Sequence, residues 1–190
     1  LIILFDLFPL GQRFNPAFPR ESIYQPSQGI RIMTSDKDIY RVAGWQRYPH
    51  PNTLSVYGLN EINGYYSMFP SSVRDLFYNL NGGSLPSPIL AVFEEKAFIS
   101  PGLAALFNIK WFYNNPGGPP PSNIQVQPFY NGDLAIYRNL NYLPRVFVVN
   151  NGEYLSFDEI NKRIFSGSFD PVQAVLLNSK DIVINPAQNV

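Results

Sequence analysis

Ser100-Pro101-Gly102-Leu103-Ala104-Ala105-Leu106-Phe107-Asn108-Ile109-Lys110-Trp111-Phe112-Tyr113 decides the fold class. Ser100 is a residue type that caps a helix, and Pro101 is favoured in a first helical turn, so a helix begins here and runs through Leu103 and Leu106. It feeds directly into Ile109 to Tyr113, an aromatic run with strand propensity. Beyond it, Asn114 to Ser122 holds Pro116, Gly117, Gly118, Pro119, Pro120 and Pro121, which fit neither helix nor sheet interior. This 114–122 segment reads as a stiff Pro/Gly surface loop, partly polyproline in character.

Strand rhythm then resumes at Ile124 to Phe129, Leu134 to Tyr137 and Arg145 to Val149, with Asn131-Gly132 as a hairpin signal between the first two. Ser156 and Glu159 form a capping box for a helix over Phe157 to Phe165. Gln173 to Leu177 and Ile182 to Ile184 close the chain as strands. The stretch from Arg145 to Leu177 is long enough for one parallel crossover, whereas the hairpin before it is antiparallel.

Upstream, Ile39 to Ala43 and Leu54 to Tyr57 read as strands. From Ser71 or Ser72, Val73, Leu76, Phe77 and Leu80 share one helical face before Asn81-Gly82-Gly83 stops it. Leu10 to Pro26 shows no period and reads as a long packed connection. Leu1 to Phe5 is either a buried first strand or the end of a membrane helix, and its abrupt start looks like a piece cut from a longer protein. The expectation is an α+β protein, a single domain over 1–190 with one mixed, largely antiparallel sheet and about three helices.

Composition narrows the function classes. Of the 190 residues, 45% are hydrophobic and 15% aromatic, so disorder is excluded. Charged residues make up 15%, against the roughly 25% of an average soluble domain, so part of the surface is uncharged. A net charge of +0 provides no field to attract nucleic acid, and no such partner is expected. The absence of cysteine removes disulfides and thiolate chemistry.

The inventory of reactive groups is short. His50, the sole histidine, stands between Pro49 and Pro51 and reads as a surface residue. There is no Gly-x-Ser-x-Gly elbow and no phosphate-binding glycine loop. Asp36-Lys37-Asp38 has a spacing that can hold a divalent cation, but Ser35-Asp36 serves equally well as a turn; these two are weak metal candidates and no metal or cofactor is expected. What remains is an aromatic excess of 12 Tyr, 15 Phe and 2 Trp, part of which is expected near the surface. Trp45, Tyr48, Trp111 and Tyr113 are the candidate ligand-binding rings. Arg41 and Arg145 join them as cations at strand entries, where a structural role is the stronger expectation.

Several blocks resemble a known family in order. Arg41-Val42, Pro51-Asn52, Tyr57-Gly58-Leu59 and Ile62-Asn63-Gly64-Tyr65 look like the extracytoplasmic segment of the YfhO-like bacterial polytopic membrane proteins. Leu106-Phe107-Asn108-Ile109-Lys110-Trp111 is similar to that family's strand entry. Tyr137-Arg138-Asn139, with Leu143-Pro144-Arg145-Val146-Phe147-Val148-Val149, is similar to its paired strands. Phe5-Asp6-Leu7 and Asn15-Pro16 fit the exit from a membrane helix.

The resemblance implies a parent membrane glycosyltransferase that uses a polyprenyl-phosphate sugar, with this domain on the extracytoplasmic face of the bacterial cell membrane. Its presumed catalytic acid lies on loops between early membrane helices, so the domain itself is expected to be non-catalytic. Its expected partners are its own transmembrane helices and a glycan or cell-wall polymer that it positions as acceptor. The alternative is a structural domain that packs on those helices or on another partner without ligand.

Overall fold

The computed structural model describes residues 2–178, apart from 15, 16, 47, 69, 86, 95, 96 and 98. Its centre is a four-stranded sheet in the order β1-β4-β6-β5, built from β1 (Arg41–Gly44), β4 (Ile109–Asn114), β5 (Val126–Asn131) and β6 (Ala135–Asn139). β1 runs parallel to β4, and the β4–β6 and β5–β6 pairs are antiparallel, so the sheet is mixed and largely antiparallel as the sequence indicates. Asn131-Gly132 closes the β5–β6 hairpin, with the Gly132 N–H donating to the Leu134 carbonyl at 3.0 Å.

Every residue of β4 is buried. A register shift against β1, in which Arg41 pairs with Ile109 but Val42 with Trp111, places two β4 steps opposite one at Lys110. Ile109 and Phe112 consequently join one hydrophobic core, and Trp111 and Tyr113 the other. The first core is completed by α4 (Ser71–Leu80), α5 (Pro101–Leu106) and β3 (Leu90–Ala91), which pairs with β2 (Gly64–Tyr65). The second is completed by α3 (Gln28–Ser35) and a 3-10 turn at Leu54–Tyr57. Helical segments thus cover both faces of the sheet, which is how each face removes its apolar side chains from water.

Ser100 caps α5 by accepting from the Leu103 N–H. Ser156 and Glu159 form the expected capping box on α6 (Phe157–Phe165). That helix links β7 (Gly152–Tyr154) to the parallel β8 (Val175–Leu177), so the anticipated crossover exists, on a small sheet of its own.

Several expectations are corrected. Leu54 to Tyr57 is a 3-10 turn because Gly58, at φ 78°, sends its N–H back to the Leu54 and Ser55 carbonyls, which a strand would not allow. Arg145 to Val149 is no strand. Its Val-rich propensity is real, but no backbone hydrogen bond from it is made among the described residues. Pro70, with no side-chain bond, occupies the N-cap of α4, and Ser71 and Ser72 lie inside the helix.

Leu1 to Phe5 contributes no strand among the described residues, because α1 spans Ile2–Phe14. Leu10 to Pro26 is not a packed connection, since α1 is followed by α2 (Arg20–Ile23) and Phe14, Phe18, Ile23 and Tyr24 are all exposed. With α1, α2 and α3 added, the described residues hold six α-helices rather than about three. The strand expected at Ile182 to Ile184 lies outside the described residues.

Candidate functional site

The opening of β1 is flanked on its outer side by the segment from Asn60 to Ile62. The Val42 N–H donates to the Asn60 carbonyl at 2.9 Å, and the Ile62 N–H to the Val42 carbonyl at 3.0 Å. This short parallel bridge sets Arg41 and Glu61 into one cleft of about 400 Å³. Val73, Leu76 and Phe77 of α4 form one wall, and Ile62, Tyr66, Met68 and Phe107 complete it.

Arg41 is half-buried and donates from Nη1 to the Phe107 carbonyl at 3.1 Å. Burial, and then the charge of Arg145 nearby, hold its pKa below the ordinary value. Glu61 accepts from the Tyr113 hydroxyl at 2.5 Å and from the Leu54 N–H at 3.4 Å. Burial pushes its pKa up against the opposing pull of those bonds. Tyr113, fully buried, is raised well above its ordinary value by burial and by the neighbouring carboxylate. An apolar concavity with one cation at its edge is suited to bind an amphiphilic ligand, while both oxygens of the Glu61 carboxyl are taken up by Tyr113 and Leu54.

A second polar cluster lies on the α3 side of the sheet. Lys110 is 5% exposed and its Nζ sits 2.5 Å from Asp36 Oδ2 and 2.6 Å from Asp38 Oδ2. Trp111 Nε1 donates to Asp36 at 3.1 Å, and the Tyr142 hydroxyl to Asp38 at 2.8 Å. The rings of Tyr40, Trp111 and Tyr142 surround the ammonium at 5.5, 5.9 and 5.1 Å. Burial works against the charged Lys110, but the hydrogen bonds to Asp36 and Asp38 outweigh it and raise its pKa. Burial, then Asp36, push Tyr40 up to about 12. The Asp-x-Asp pair does converge on a cation, and that cation is the chain's own ammonium. Among the described residues no group of three or more His, Cys, Asp or Glu could hold a metal ion.

The candidate rings do not share a surface. Trp45 is 3% exposed, stacked on Phe93 with centroids 5.4 Å apart and edge-on to Phe112. Trp111 is 4% exposed against Phe129, and Tyr113 is enclosed in the same core. These three rings are therefore packing elements, and the expectation that they reach the surface is corrected; Tyr48 alone of the four is exposed. His50 is exposed near Tyr65.

Arg41 stitches a backbone carbonyl, as its strand-entry position indicates, and also lines the cleft. Arg145 is exposed beside it. The sequence reading does not single out Glu61, although it is the only Asp, Glu, Lys or Arg between Arg47 and Arg74. A lone carboxylate in so long an uncharged stretch was the available signal. Lys110 within an aromatic strand was the equivalent signal for the second cluster.

No family model matches the chain, and no curated protein or solved structure shows significant similarity to it.

Proposed function

We propose that this is a non-catalytic extracytoplasmic domain of a bacterial membrane protein resembling the YfhO-like glycosyltransferases, and that α1 docks it against the membrane-embedded part of its parent. The observation that carries this reading is α1 itself. Ile3, Phe5, Leu7, Phe8 and Phe14 are 73, 77, 57, 63 and 76% exposed. At about 100° per residue they spread over more than half of the helix circumference, so one core-facing stripe does not account for them.

Of the α1 side chains that are described, which include Ile3, Phe5, Leu7, Phe8 and Phe14, none enters either core. An exposed apolar surface of this kind is stabilised by a partner or by lipid. Among the described residues no helix is long and apolar enough to cross a membrane.

Flotation with phosphatidylethanolamine/phosphatidylglycerol vesicles tests α1 directly. The chain should float with the vesicles, and Phe5→Glu combined with Phe8→Glu should leave it in the soluble fraction. Equal behaviour of the two proteins would remove the support for docking.

A second reading is favoured by the Arg41–Glu61 cleft: the domain positions a glycan or cell-envelope polymer as acceptor. Arg41, Glu61 and Tyr66 supply polar groups and a ring along an apolar floor, a combination that suits a sugar. Amide shifts on titration with cell-wall glycans should then cluster at Ile62, Tyr66 and Leu76. A flat response across diverse glycans would count against it.

A further inference from the structure

We propose that Asn151-Gly152 is a site of self-modification, at which the chain converts Asn151 to aspartate and isoaspartate and thereby loosens β7 from β8. Four Asn-Gly pairs occur in the sequence: Asn63-Gly64, Asn81-Gly82, Asn131-Gly132 and Asn151-Gly152. In each, the missing Cβ of glycine lets its backbone nitrogen approach the preceding side-chain amide. The reaction needs two further things: an amide side chain that is able to turn toward the backbone, and a glycine N–H that no carbonyl holds.

Three pairs lack them. Asn63 is 3% exposed and its Oδ1 accepts the Gly44 N–H at 2.6 Å, while Gly64 stands in the β2–β3 ladder. Asn81 is held at both ends of its amide, donating to the Val92 carbonyl at 2.9 Å and accepting from the Glu94 N–H at 3.0 Å. The Gly82 N–H donates to the Asn79 carbonyl at 3.1 Å. Asn131 Oδ1 accepts the Gly117 N–H at 2.9 Å, and the Gly132 N–H is engaged by the Leu134 carbonyl.

Asn151 is exposed, and among the described residues no hydrogen bond holds its side chain. In a strand, alternate residues bond to a given neighbour. The Asn151 carbonyl accepts the Val175 N–H at 2.9 Å and the Leu155 N–H donates to the Leu177 carbonyl at 2.9 Å, so Gly152 turns its own N–H away from β8. The sheet has only these two strands, and no other carbonyl takes that N–H among the described residues.

Once its proton passes to water, the Gly152 nitrogen attacks Cγ of Asn151. A C–N bond forms, the amide nitrogen takes up a proton and leaves as ammonia, and a succinimide ring joins the two residues. Water then opens the ring at either carbonyl. One opening gives aspartate; the other gives isoaspartate, whose main chain runs through Cβ and Cγ. Water enters, ammonia leaves, and nothing is oxidised. In isoaspartate the former Asn151 carbonyl becomes part of a side branch, which displaces the acceptor of the Val175 N–H. A two-stranded sheet has no further strand to compensate, and the new charge falls near Glu153, the partner of Arg163 on α6.

The test is incubation of the 190-residue chain in mildly alkaline buffer made with heavy-oxygen water, followed by digestion and mass spectrometry, beside a sample kept unfolded in urea. In the folded chain the Asn151 peptide should gain the mass of an amide-to-acid exchange carrying heavy oxygen, with isoaspartate among the products. It should do so at least about tenfold faster than the other three pairs, which must first open their hydrogen bonds. In urea all four should react at similar rates, and Asn151→Gln should stay unconverted. Amide hydrogen exchange of the converted chain, separated by ion exchange, should be faster at Val175 and Leu177 and unchanged at Phe112 in β4.

Equal rates at all four pairs in the folded chain, or no conversion at Asn151, would overturn the site. Conversion at Asn151 with unchanged exchange at Val175 would support the site and overturn the loosening of β7 from β8.

Discussion

Lys110 illustrates how single residues fix the interior of this protein. It is almost fully buried, and its ammonium is the shared partner of two carboxylates. Lys110→Met keeps the volume but leaves Asp36 and Asp38 facing each other without a cation. The expected cost is roughly 2–4 kcal/mol, read as a lower urea midpoint at neutral pH. Burial opposes ionised Asp36, but its bonds to Lys110, Asp38 and Trp111 hold the pKa below the ordinary carboxylate value. Stability from this group is present above the ordinary carboxylate range and is lost as pH falls through the folded pKa.

Glu61 has the opposite sign. Its folded pKa is raised, so its contribution is present below the unfolded pKa and is lost as pH rises through the folded one. Glu61→Gln keeps an oxygen for the Tyr113 hydroxyl and removes the buried charge. Urea midpoints measured from about pH 4 to 8 should fall for the wild type relative to the variant, by about 1.4 kcal/mol per unit of raised pKa. Parallel profiles would show that Glu61 is not held in a desolvated site.

At the scale of elements, α5 packs its first turn against the loop before β8. A Cβ on Gly102 would overlap the Phe169 carbonyl and touch Pro171. Alanine is the better helix former by up to about 1 kcal/mol, but overpacking of this kind costs about 1–3 kcal/mol, so Gly102→Ala should destabilise despite its propensity. A raised melting temperature would contradict the close packing.

The elements legible in the sequence were those whose signal is local. Ser100 and Ser156 announce α5 and α6 through the hydrogen bonds their own side chains make, and Asn131-Gly132 announces a hairpin as a turn-forming pair between two strand runs. Arg145 to Val149 and Leu54 to Tyr57 failed because a strand also requires an edge to pair with, which composition does not encode. The site divided along the same line. Arg41 was found from its place at a strand entry. Glu61 was missed because its environment is set by Tyr113, Leu54 and α4, which are remote or unremarkable in sequence. The rings were misplaced because aromatic content does not say which rings fill a core. Trp45 and Trp111 lie in the two cores, on opposite faces of the sheet.

At the scale of the whole molecule, a sheet covered on both faces is joined to a helix whose described apolar side chains enter neither core. The 190 residues lack cysteine, so Ser72→Cys at an exposed position of α4 adds a label site to this segment, read against the unsubstituted parent as background. The most direct test is labelling of that variant with a membrane-impermeant maleimide in intact bacteria expressing the parent protein, followed by fractionation. The account predicts that Cys-labelled protein is obtained without lysis and is recovered with the membranes. Labelling that requires lysis, or labelled protein recovered in the soluble fraction, would contradict an extracytoplasmic domain docked at the membrane.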